Sequence, residues 1–461
     1  MKKHQQSMLQ GPLFSSIIAY TIPIILTSLL QLLFNAADLV VVGRFCGSQS
    51  VAAVGATGSI TNLVVNLFIG LSIGAGVSMA HAIGSRDATA MHRTVHTALP
   101  LAIISGVILT IVGVSCAGTF LTWMDTPEEV LPLSTLYMQI YFSGMTFNMV
   151  YNFAAALLRA AGDTKSPLIF LTIAGVINVV LNVIFVTLFH MNVAGVALAT
   201  TISQGVSATL VVIALMRRTD ASRLHLAKLR IYKTQLVQII AKGLPAGIQS
   251  SLFSISNVVI QSSINTFGDV FLSGSSAASN IEGFVYVCMN AFQQTALNFT
   301  GQNAGAGQYK RIKKIAGICM ASVTVVGIVV GAVVYLFAPY LLAIYITDSP
   351  QSIVYGVERL AFLLLPYFML GLHDVISGTL RGLGASLSPM IVSILGVCGF
   401  RILWVQTVFQ MPQFHTPDWL FVSYPISWAL TSVIELILLI VVYRKFAAKC
   451  QIMEEIASGV E

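Results

Sequence analysis

The sequence predicts an all-α integral membrane protein in which twelve transmembrane helices form two parallel six-helix repeats. Of its 461 residues, 56% are hydrophobic and only 9% are charged, whereas roughly a quarter of the residues in soluble domains are charged. Apolar stretches long enough to cross a hydrocarbon core recur along nearly the whole chain. The two halves of the sequence also resemble each other. These three observations favour a polytopic membrane protein built by duplication.

Twelve mostly apolar stretches define the predicted helices, which we number as spans 1 to 12. Each contains about 20 or more residues, enough to cross a bilayer core of about 30 Å. In chain order the spans cover residues 13–42, 50–80, 94–118, 131–158, 167–189, 193–216, 236–266, 271–301, 315–340, 353–380, 388–409 and 419–443.

The basic residues follow the positive-inside rule. Lys and Arg concentrate in the amino-terminal tail and in "GSRDATAMHRT", "MRRTDASRLHLAKLRIYK", "GQYKRIKK" and "YRKFAAK", whereas the intervening "MDTPEE" and "TDSPQS" are acidic or neutral. This distribution predicts that both termini are cytoplasmic. It also explains the net charge of +7 by topology, so we expect no nucleic-acid partner.

Internal repeats relate the two halves at one offset. "YTIPIILTSLLQ" recurs as "KGLPAGIQSSLF", which aligns Pro23 with Pro245, and "LLRAAGDTKSPLI" recurs as "TLRGLGASLSPMI", which aligns Arg159 with Arg381. Both alignments have the same separation along the chain, which we call the repeat offset. Because six spans per half is an even number, both halves enter the membrane in the same direction, and alternating access between the lobes is the natural use of such a fold.

The repeat and the loop charges together predict four domains. They are an N-lobe at 1–216, a cytoplasmic linker at 217–235, a C-lobe at 236–443 and a cytoplasmic tail at 444–461.

Several ordered segments resemble one known family. "QLLFNAADLVVVGRFCGSQSVAAVG", "GLSIGAGVSMAHAIGSRD", "ALLRAAGDTKSP", "GQNAGAGQ" and "TLRGLGASLSP" are similar to the multidrug and toxic compound extrusion (MATE) transporters of the wider flippase superfamily. The resemblance runs from span 1 to span 12. It implies two lobes around a central cavity and export of organic, often cationic, compounds driven by inward H⁺ or Na⁺.

Ionisable side chains at membrane depth are the first functional candidates, because each costs about 2.5–3.5 kcal/mol on insertion scales. The predicted spans contain Asp38, Glu282, Asp374, Arg401 and Glu435. Glu435 lies two turns from the basic tail, so we expect it to snorkel in a structural role.

The N-lobe candidates gather in the outer half of the predicted bundle. Span 1 places Asp38 about a turn and a half from its outer end, Asn178 and Asn182 share one face of span 5, and Thr200 lies in the second turn of span 6. The resemblance implies that these residues form a proton- or sodium-linked site. Asn182 stands where some family members have a second Asp, which weakens the case for Na⁺ because hard cations favour carboxylates. Plain interhelical hydrogen bonding is the alternative role of the amides and Thr200.

The second half does not duplicate this carboxylate, since Asp38 falls on Ile260 at the repeat offset. A lone Arg401 in span 11 would be costly, so we expect it to pair with Glu282 or Asp374 in a polar C-lobe cavity. A fixed ion pair that sets lobe packing is the alternative.

Span 4 supplies candidates for a substrate wall: Tyr137, Met145, Met149 and Asn152. Aromatic and thioether groups suit flat cationic compounds, although such residues are also common in bundle cores. "GLSIGAGVSMA" predicts close helix packing in span 2.

These features predict an ion-coupled exporter of the bacterial plasma (inner) membrane and not an enzyme. We expect a small-molecule substrate, the lipid bilayer as surroundings, a monomer, and no cofactor beyond H⁺ or Na⁺ as coupling ion. A lipid-linked flippase is the alternative within transport. A membrane-embedded transferase is less favoured, because the loops are short and lack a cluster of Asp, His or Cys.

Overall fold

The computed structural model describes residues 8–346 and 349–458, and this part of the chain is built from α-helices. The helices are α1 (Leu13–Phe45), α2 (Ser48–Gly84), α3 (Ala88–Trp123), α4 (Leu131–Ser143), α5 (Met145–Ala160), α6 (Lys165–Val183), α7 (Asn192–Met216), α8 (Lys233–Asn265), α9 (Asp269–Gly305), α10 (Tyr309–Leu336), α11 (Ala338–Tyr345), α12 (Pro350–Leu364), α13 (Tyr367–Gly382), α14 (Leu387–Ser393), α15 (Phe400–Gln406) and α16 (Pro417–Ser458). Short π-helical segments follow α6 at Ile184–Leu188 and join α14 to α15 at Ile394–Gly399.

Every predicted span coincides with helix in the structure, but length and apolar composition alone identify fewer crossings. In the described part of the chain, eight helices are long and apolar enough to cross a membrane, or nine if the bent pair α12 and α13 counts as one span. Three predicted spans do not meet this criterion. Span 4 is broken into the short helices α4 and α5, and spans 7 and 8, which are α8 and α9, contain many Ser, Asn and Gln residues.

Spans 4 and 10 are each interrupted well inside their length, and span 9 passes from α10 to α11 at Phe337 near its end, which corrects the sequence prediction. Span 4 is divided between α4 and α5 at Gly144. Span 10 is bent by 43° between α12 and α13, where Pro366 precedes α13. A proline lacks the amide N–H that a continuing helix needs and clashes with the preceding turn. Gly144 and Pro366 correspond to each other at the repeat offset, so both halves break at the same point of the repeat.

Helix boundaries reproduce the internal repeat. The 16-residue helices α5 and α13 begin at equivalent positions of the repeat, at Met145 and Tyr367. Helices α2 and α9 are both 37 residues long and begin at nearly equivalent positions, at Ser48 and Asp269. The duplication predicted from short sequence matches therefore extends to the lengths and breaks of the helices.

The described chain packs as two compact units, residues 22–251 and residues 8–21 with 252–458. These limits differ from the predicted lobe boundaries because the first parts of α1 and α8 each pack with helices of the other half of the sequence. In the first unit, α8 passes α2 at glycines: a methyl group on Gly70 would lie 2.2 Å from the Gly247 nitrogen. In the second unit, the start of α1 meets α9, where the Thr21 and Thr295 hydroxyls are 2.8 Å apart.

Candidate ion-coupling site

Four polar side chains of the first unit lie together on three helices. Asp38 belongs to α1, Asn178 and Asn182 to α6, and Thr200 to α7. Asn182 donates a hydrogen bond from Nδ2 to Asp38 Oδ1. On the other side, Thr200 Oγ1 donates to Asp38 Oδ2 at 3.4 Å. The structure thus brings all four sequence-predicted residues of this site into contact.

The same side chains form a closed ring of hydrogen bonds. Asn182 Nδ2 also donates to Asn178 Oδ1 at 3.3 Å, and Asn178 Nδ2 donates to Thr200 Oγ1 at 3.2 Å. The hydrogen bond from Thr200 to Asp38 closes the ring. The Thr200 hydroxyl also lies 3.0 Å from a second acceptor, the Val196 carbonyl. Both carboxylate oxygens of Asp38 therefore accept hydrogen bonds from neutral groups.

A glycine allows α1 to approach α6 at this place. A methyl group on Gly175 would lie 1.8 Å from the ring of Phe34, so only glycine leaves room for that ring against α6. Phe34 and Asp38 are four residues apart on α1 and share one face of it. The packing of Phe34 on Gly175 therefore turns Asp38 toward the polar face of α6.

Apolar side chains of α1, α7, α4 and the π-helical segment after α6 form a cluster beside the polar ring. This cluster consists of Val41, Val42, Tyr137, Val186, Val193, Val196 and Ala197. Asn182 is fully buried and Asn178 nearly so, while Asp38 and Thr200 are half-buried. Because apolar surroundings screen charge poorly, a change of charge on Asp38 acts strongly on its neighbours.

The orientation of the amides suits a proton better than a sodium ion. Asn182 presents its nitrogen, not its oxygen, to Asp38, and within the described residues Asn182 Oδ1 is buried without a hydrogen-bond partner. Na⁺ is a hard cation that is held by oxygen ligands, so it would require the Asn182 amide to reverse. A proton needs only one oxygen of Asp38 and leaves the amides in place.

The second unit contains a different polar group around Glu282 of α9. Arg359 Nη2 of α12 lies 3.3 Å from Glu282 Oε2, and Arg359 Nη1 donates to Ser275 Oγ at 2.6 Å. Tyr367 Oη donates to Glu282 Oε1 at 3.4 Å. Glu282 is thus paired with an arginine that the sequence analysis did not select.

Arg401 does not form the predicted ion pair, because its neighbours are a hydroxyl and aromatic rings. Its Nε donates to Ser427 Oγ at 2.9 Å, and its Cζ lies 4.0 Å from the centre of the Tyr424 ring and 5.5 Å from that of Trp428. Stacking on aromatic faces offsets part of the cost of the buried cation. The structure therefore corrects the expected pairing of Arg401 with Glu282 or Asp374.

Glu435 and Asp374 belong to one buried cluster with His373 and Ser393. Ser393 Oγ donates to Glu435 Oε1 at 2.9 Å and lies 3.0 Å from His373 Nε2. His373 Nδ1 is 3.3 Å from Asp374 Oδ1. Glu435 is fully buried, so the expectation that it snorkels toward the basic tail is wrong.

The predicted substrate-wall residues of span 4 have mostly internal positions. Met145 and Met149 are fully buried in the main hydrophobic core of the first unit, and Tyr137 packs in the apolar cluster beside Asp38. Asn152 donates to the Asn148 carbonyl and side-chain oxygens, both at 2.9 Å. The two methionines consequently have a packing role in this structure.

The sequence analysis missed His373, Arg359 and Tyr367 among the polar groups. His373 directly precedes Asp374 within span 10, and Arg359 lies near the start of the same span. Asp38 was selected because it is an ionisable residue inside an apolar span. The same criterion also selects His373 and Arg359. Their partners Glu435 and Glu282 lie far away along the chain, on other helices.

Comparisons with known proteins agree with the repeat. The MatE family model matches the chain twice, over residues 23–184 and 245–405. The probable multidrug resistance protein YpnP of Bacillus subtilis is 28% identical over 392 residues, which cover 84% of this chain and 86% of that protein. The probable multidrug resistance protein YoeA of the same organism is 27% identical over 446 residues, or 94% of each chain.

The fold is similar to that of a solved structure. A MOP superfamily transporter from Pyrococcus furiosus matches with a TM-score of 0.89 at 20% identity, over 95% of this chain and 98% of that one. At this identity the likeness concerns the fold. The all-helical architecture predicted from the sequence is confirmed.

Proposed function

This chain belongs to the MatE family, and from that membership we propose that it exports organic, cationic or amphipathic compounds across the bacterial plasma membrane in exchange for H⁺. Both termini lie in the cytoplasm in this proposal, and the protein works as a monomer. The names of two relatives, both probable multidrug resistance proteins, support the substrate class.

The observation that carries the proposal is the hydrogen-bond ring around Asp38. It holds one carboxylate among two amides and a hydroxyl, with no basic side chain in the ring. Such a group has no local countercharge, so gaining a proton removes the only formal charge of the site. A charge that can be removed in an apolar environment is what ion coupling requires.

Protonation of Asp38 also changes which hydrogen bonds the ring can form. A carboxylate only accepts, whereas a carboxylic acid both donates and accepts. Thr200 can turn its hydroxyl to the Val196 carbonyl, and the buried Asn182 Oδ1 has capacity to accept a proton donor. Proton binding can therefore loosen α1 from α6 and α7, which connects the coupling ion to helix movement.

A second proposed element is alternating access between the two halves of the repeat. In the outward-open state Asp38 takes a proton from outside while the substrate leaves. In the inward-open state it releases the proton and the substrate binds again. This cycle uses the inward proton gradient to drive export.

Transport by purified protein in proteoliposomes tests the proposal. Ethidium, a flat organic cation, serves as substrate, and a pH gradient or a Na⁺ gradient is imposed separately at zero membrane potential. We expect ethidium movement driven by the pH gradient and none driven by Na⁺ alone.

Ethidium movement driven only by the Na⁺ gradient would contradict coupling to H⁺ and would mean that Na⁺ is the coupling ion at this site. Absence of ethidium movement under both gradients, together with translocation of a fluorescent lipid-linked substrate, would favour the flippase alternative and reject export of cationic compounds.

A further inference from the structure

The second unit contains a cluster of ionisable groups that the coupling mechanism does not use. It consists of His373 and Asp374 on α13, Ser393 on α14 and Glu435 on α16. His373, Ser393 and Glu435 have no exposed surface, and Asp374 is 4% exposed. Burying so many ionisable groups is expensive, which marks the cluster for a function beyond packing.

When Glu435 is ionised, the chain of hydrogen bonds through Ser393 requires a proton on His373 Nε2. With Glu435 ionised, the single hydroxyl proton of Ser393 is donated to Glu435 Oε1, at 2.9 Å. The Ser393 oxygen then accepts from His373 Nε2 at 3.0 Å. Nε2 therefore carries a hydrogen, because an unprotonated nitrogen would face an oxygen without a hydrogen between them.

The contact of His373 with Asp374 is the place for a second proton. Nδ1 of the ring is 3.3 Å from Asp374 Oδ1, an ion-pair distance, although Nδ1 is buried without an aligned hydrogen-bond partner among the described residues. The nearby carboxylate attracts a proton to this unpartnered nitrogen. The proton resides on Nδ1, which makes an imidazolium, or on Asp374, which makes a neutral acid. Moving it from one to the other breaks an O–H bond as an N–H bond forms and leaves the total charge unchanged.

The charges around the histidine balance when this proton is present. His373 interacts electrostatically with Glu435 from α16, and with Asp374 and Arg381 from its own helix. Two carboxylates, one guanidinium and one imidazolium sum to zero, whereas loss of the proton leaves a net charge of −1 inside the unit.

The other helices packed on α13 add further ionisable groups around the cluster. Helix α9 carries Glu282, which accepts from Tyr367 at the start of α13 and is paired with Arg359 of α12. Helix α9 supplies the phenol of Tyr286, which interacts with Asp374 and Arg381. Helix α10 carries only the thiol of Cys319 as a titratable group between residues 315 and 334, and α14 carries none. Because Glu282 and Arg359 offset each other, the proton held by His373 or Asp374 sets the charge of the cluster.

The first half of the sequence has no equivalent cluster. At the repeat offset, His373 corresponds to Tyr151, Asp374 to Asn152 and Ser393 to Leu171. The group is therefore present in one half alone, and the shared fold does not require it.

We propose that His373, Ser393 and Glu435, reached by protons through Asp374, form a second proton-binding site in addition to the one at Asp38. The inference rests on the proposed function in one respect, namely that the proton bound here is one of those exchanged for substrate. The existence of the site can be measured without transport.

Solid-state NMR of ¹⁵N-histidine protein in liposomes reports the protonation of each ring nitrogen. The His373 signals are identified by their absence in His373→Gln. If that variant does not fold, Ser393→Ala identifies them instead, because it keeps every charge and changes only the partner of Nε2. Between pH 5 and pH 9 we expect His373 to change from an imidazolium pattern to a neutral one.

Two variants test the arrangement. Glu435→Gln removes a carboxylate that favours the imidazolium, so His373 should lose its proton at a pH at least one unit lower than in the unchanged protein. Ser423→Ala is the matched control: Ser423 is another fully buried serine of α16, and it donates only to the Leu420 carbonyl. It should leave the titration of His373 unchanged.

A His373 signal that stays in one protonation state from pH 5 to pH 9 would overturn the proposal and make the cluster a fixed ion pair. An unchanged titration in Glu435→Gln would equally overturn it. If His373 titrates as expected but the proteoliposomes show no proton-driven ethidium movement, the site stands and the proposed function fails.

Discussion

The polar groups of the two units differ far more than the helices that carry them. Helices α5 and α13 have the same length and begin at equivalent positions of the repeat. Yet the first unit holds Asp38 among neutral donors, while the second pairs Glu282 with Arg359 and places His373 between Asp374 and Glu435. Duplication thus preserved the frame, and each half acquired its own chemistry.

This difference predicts opposite responses to loss of a charge. Asp38 has no cationic partner in its ring, so neutralising it removes a charge without leaving another unpaired. In the second unit, removing one member of a pair strands its partner in a poorly solvated place. We therefore expect substitutions in the first site to affect transport and those in the second to affect stability as well.

The largest expected effect is on transport by Asp38→Asn. The amide imitates only the neutral state and cannot release a proton, so pH-driven ethidium movement should fall to the level of protein-free vesicles while the melting temperature changes little. Asp125→Asn is the matched control, since Asp125 is exposed and its positive φ of 53° suits asparagine. Normal transport by a well-folded Asp38→Asn protein would mean that Asp38 only links helices.

The next effect is on the free energy of unfolding through the Glu282–Arg359 pair. Arg359→Ala leaves Glu282 without its cation, at a cost of about 3 kcal/mol or more for a buried partner. Adding Glu282→Gln should recover part of this loss. A double-mutant cycle of thermal or denaturant stability in detergent measures the coupling. Additive effects of the two changes would contradict the pairing and restore Arg401 as a candidate partner of Glu282.

The smallest expected effects are on stability, at the crossing of α2 with α8 and at the crossing of α1 with α9. Gly247→Ala would place a methyl group 2.2 Å from the Leu67 carbonyl oxygen, and overpacking of this kind costs about 1–3 kcal/mol. Thr295→Val in the other crossing loses the interhelical hydrogen bond to Thr21, worth about 0.6 kcal/mol on average within membranes, and the bond that Thr295 donates to the Ala291 carbonyl of its own helix. Melting temperatures of the purified variants compare them.

Gly58→Ala controls for the glycine change, because Gly58 lies in α2 with no atom within 4 Å of an added methyl group. It should be neutral or slightly stabilising. If Gly247→Ala is no more harmful than Thr295→Val, the close approach of α2 and α8 does not contribute to stability as the glycines indicate.

Much of the fold and the first site was predictable because the signals are local or repeated. Apolar length predicts a crossing helix, and the repeat offset aligns Pro23 with Pro245 and Arg159 with Arg381. Asp38 was predictable because a carboxylate within an apolar span is rare. Its partners Asn178, Asn182 and Thr200 followed because consecutive spans 5 and 6 adjoin, and the i, i+4 spacing puts both amides on one face.

The second unit was less predictable because its contacts join residues that are far apart in sequence. Glu282 had two arginines available within the predicted spans of the second half, and nothing in the pattern distinguishes Arg359 from Arg401 as its partner. Likewise, Glu435 lies close to the basic tail along the chain, but the packing of α13 against α16 turns it inward to Ser393.

The sequence by itself determined the membrane class, the order of the apolar spans, the duplication and the carboxylate at position 38, because each depends on composition, spacing or self-similarity along the chain. Only the tertiary structure decided that Gly175 admits the Phe34 ring beside the site, and that Arg359 rather than Arg401 neutralises Glu282. The physical reason is that a helix presents its side chains in all directions. Which of them meet depends on its rotation and its approach to neighbouring helices, and packing across the whole unit sets both.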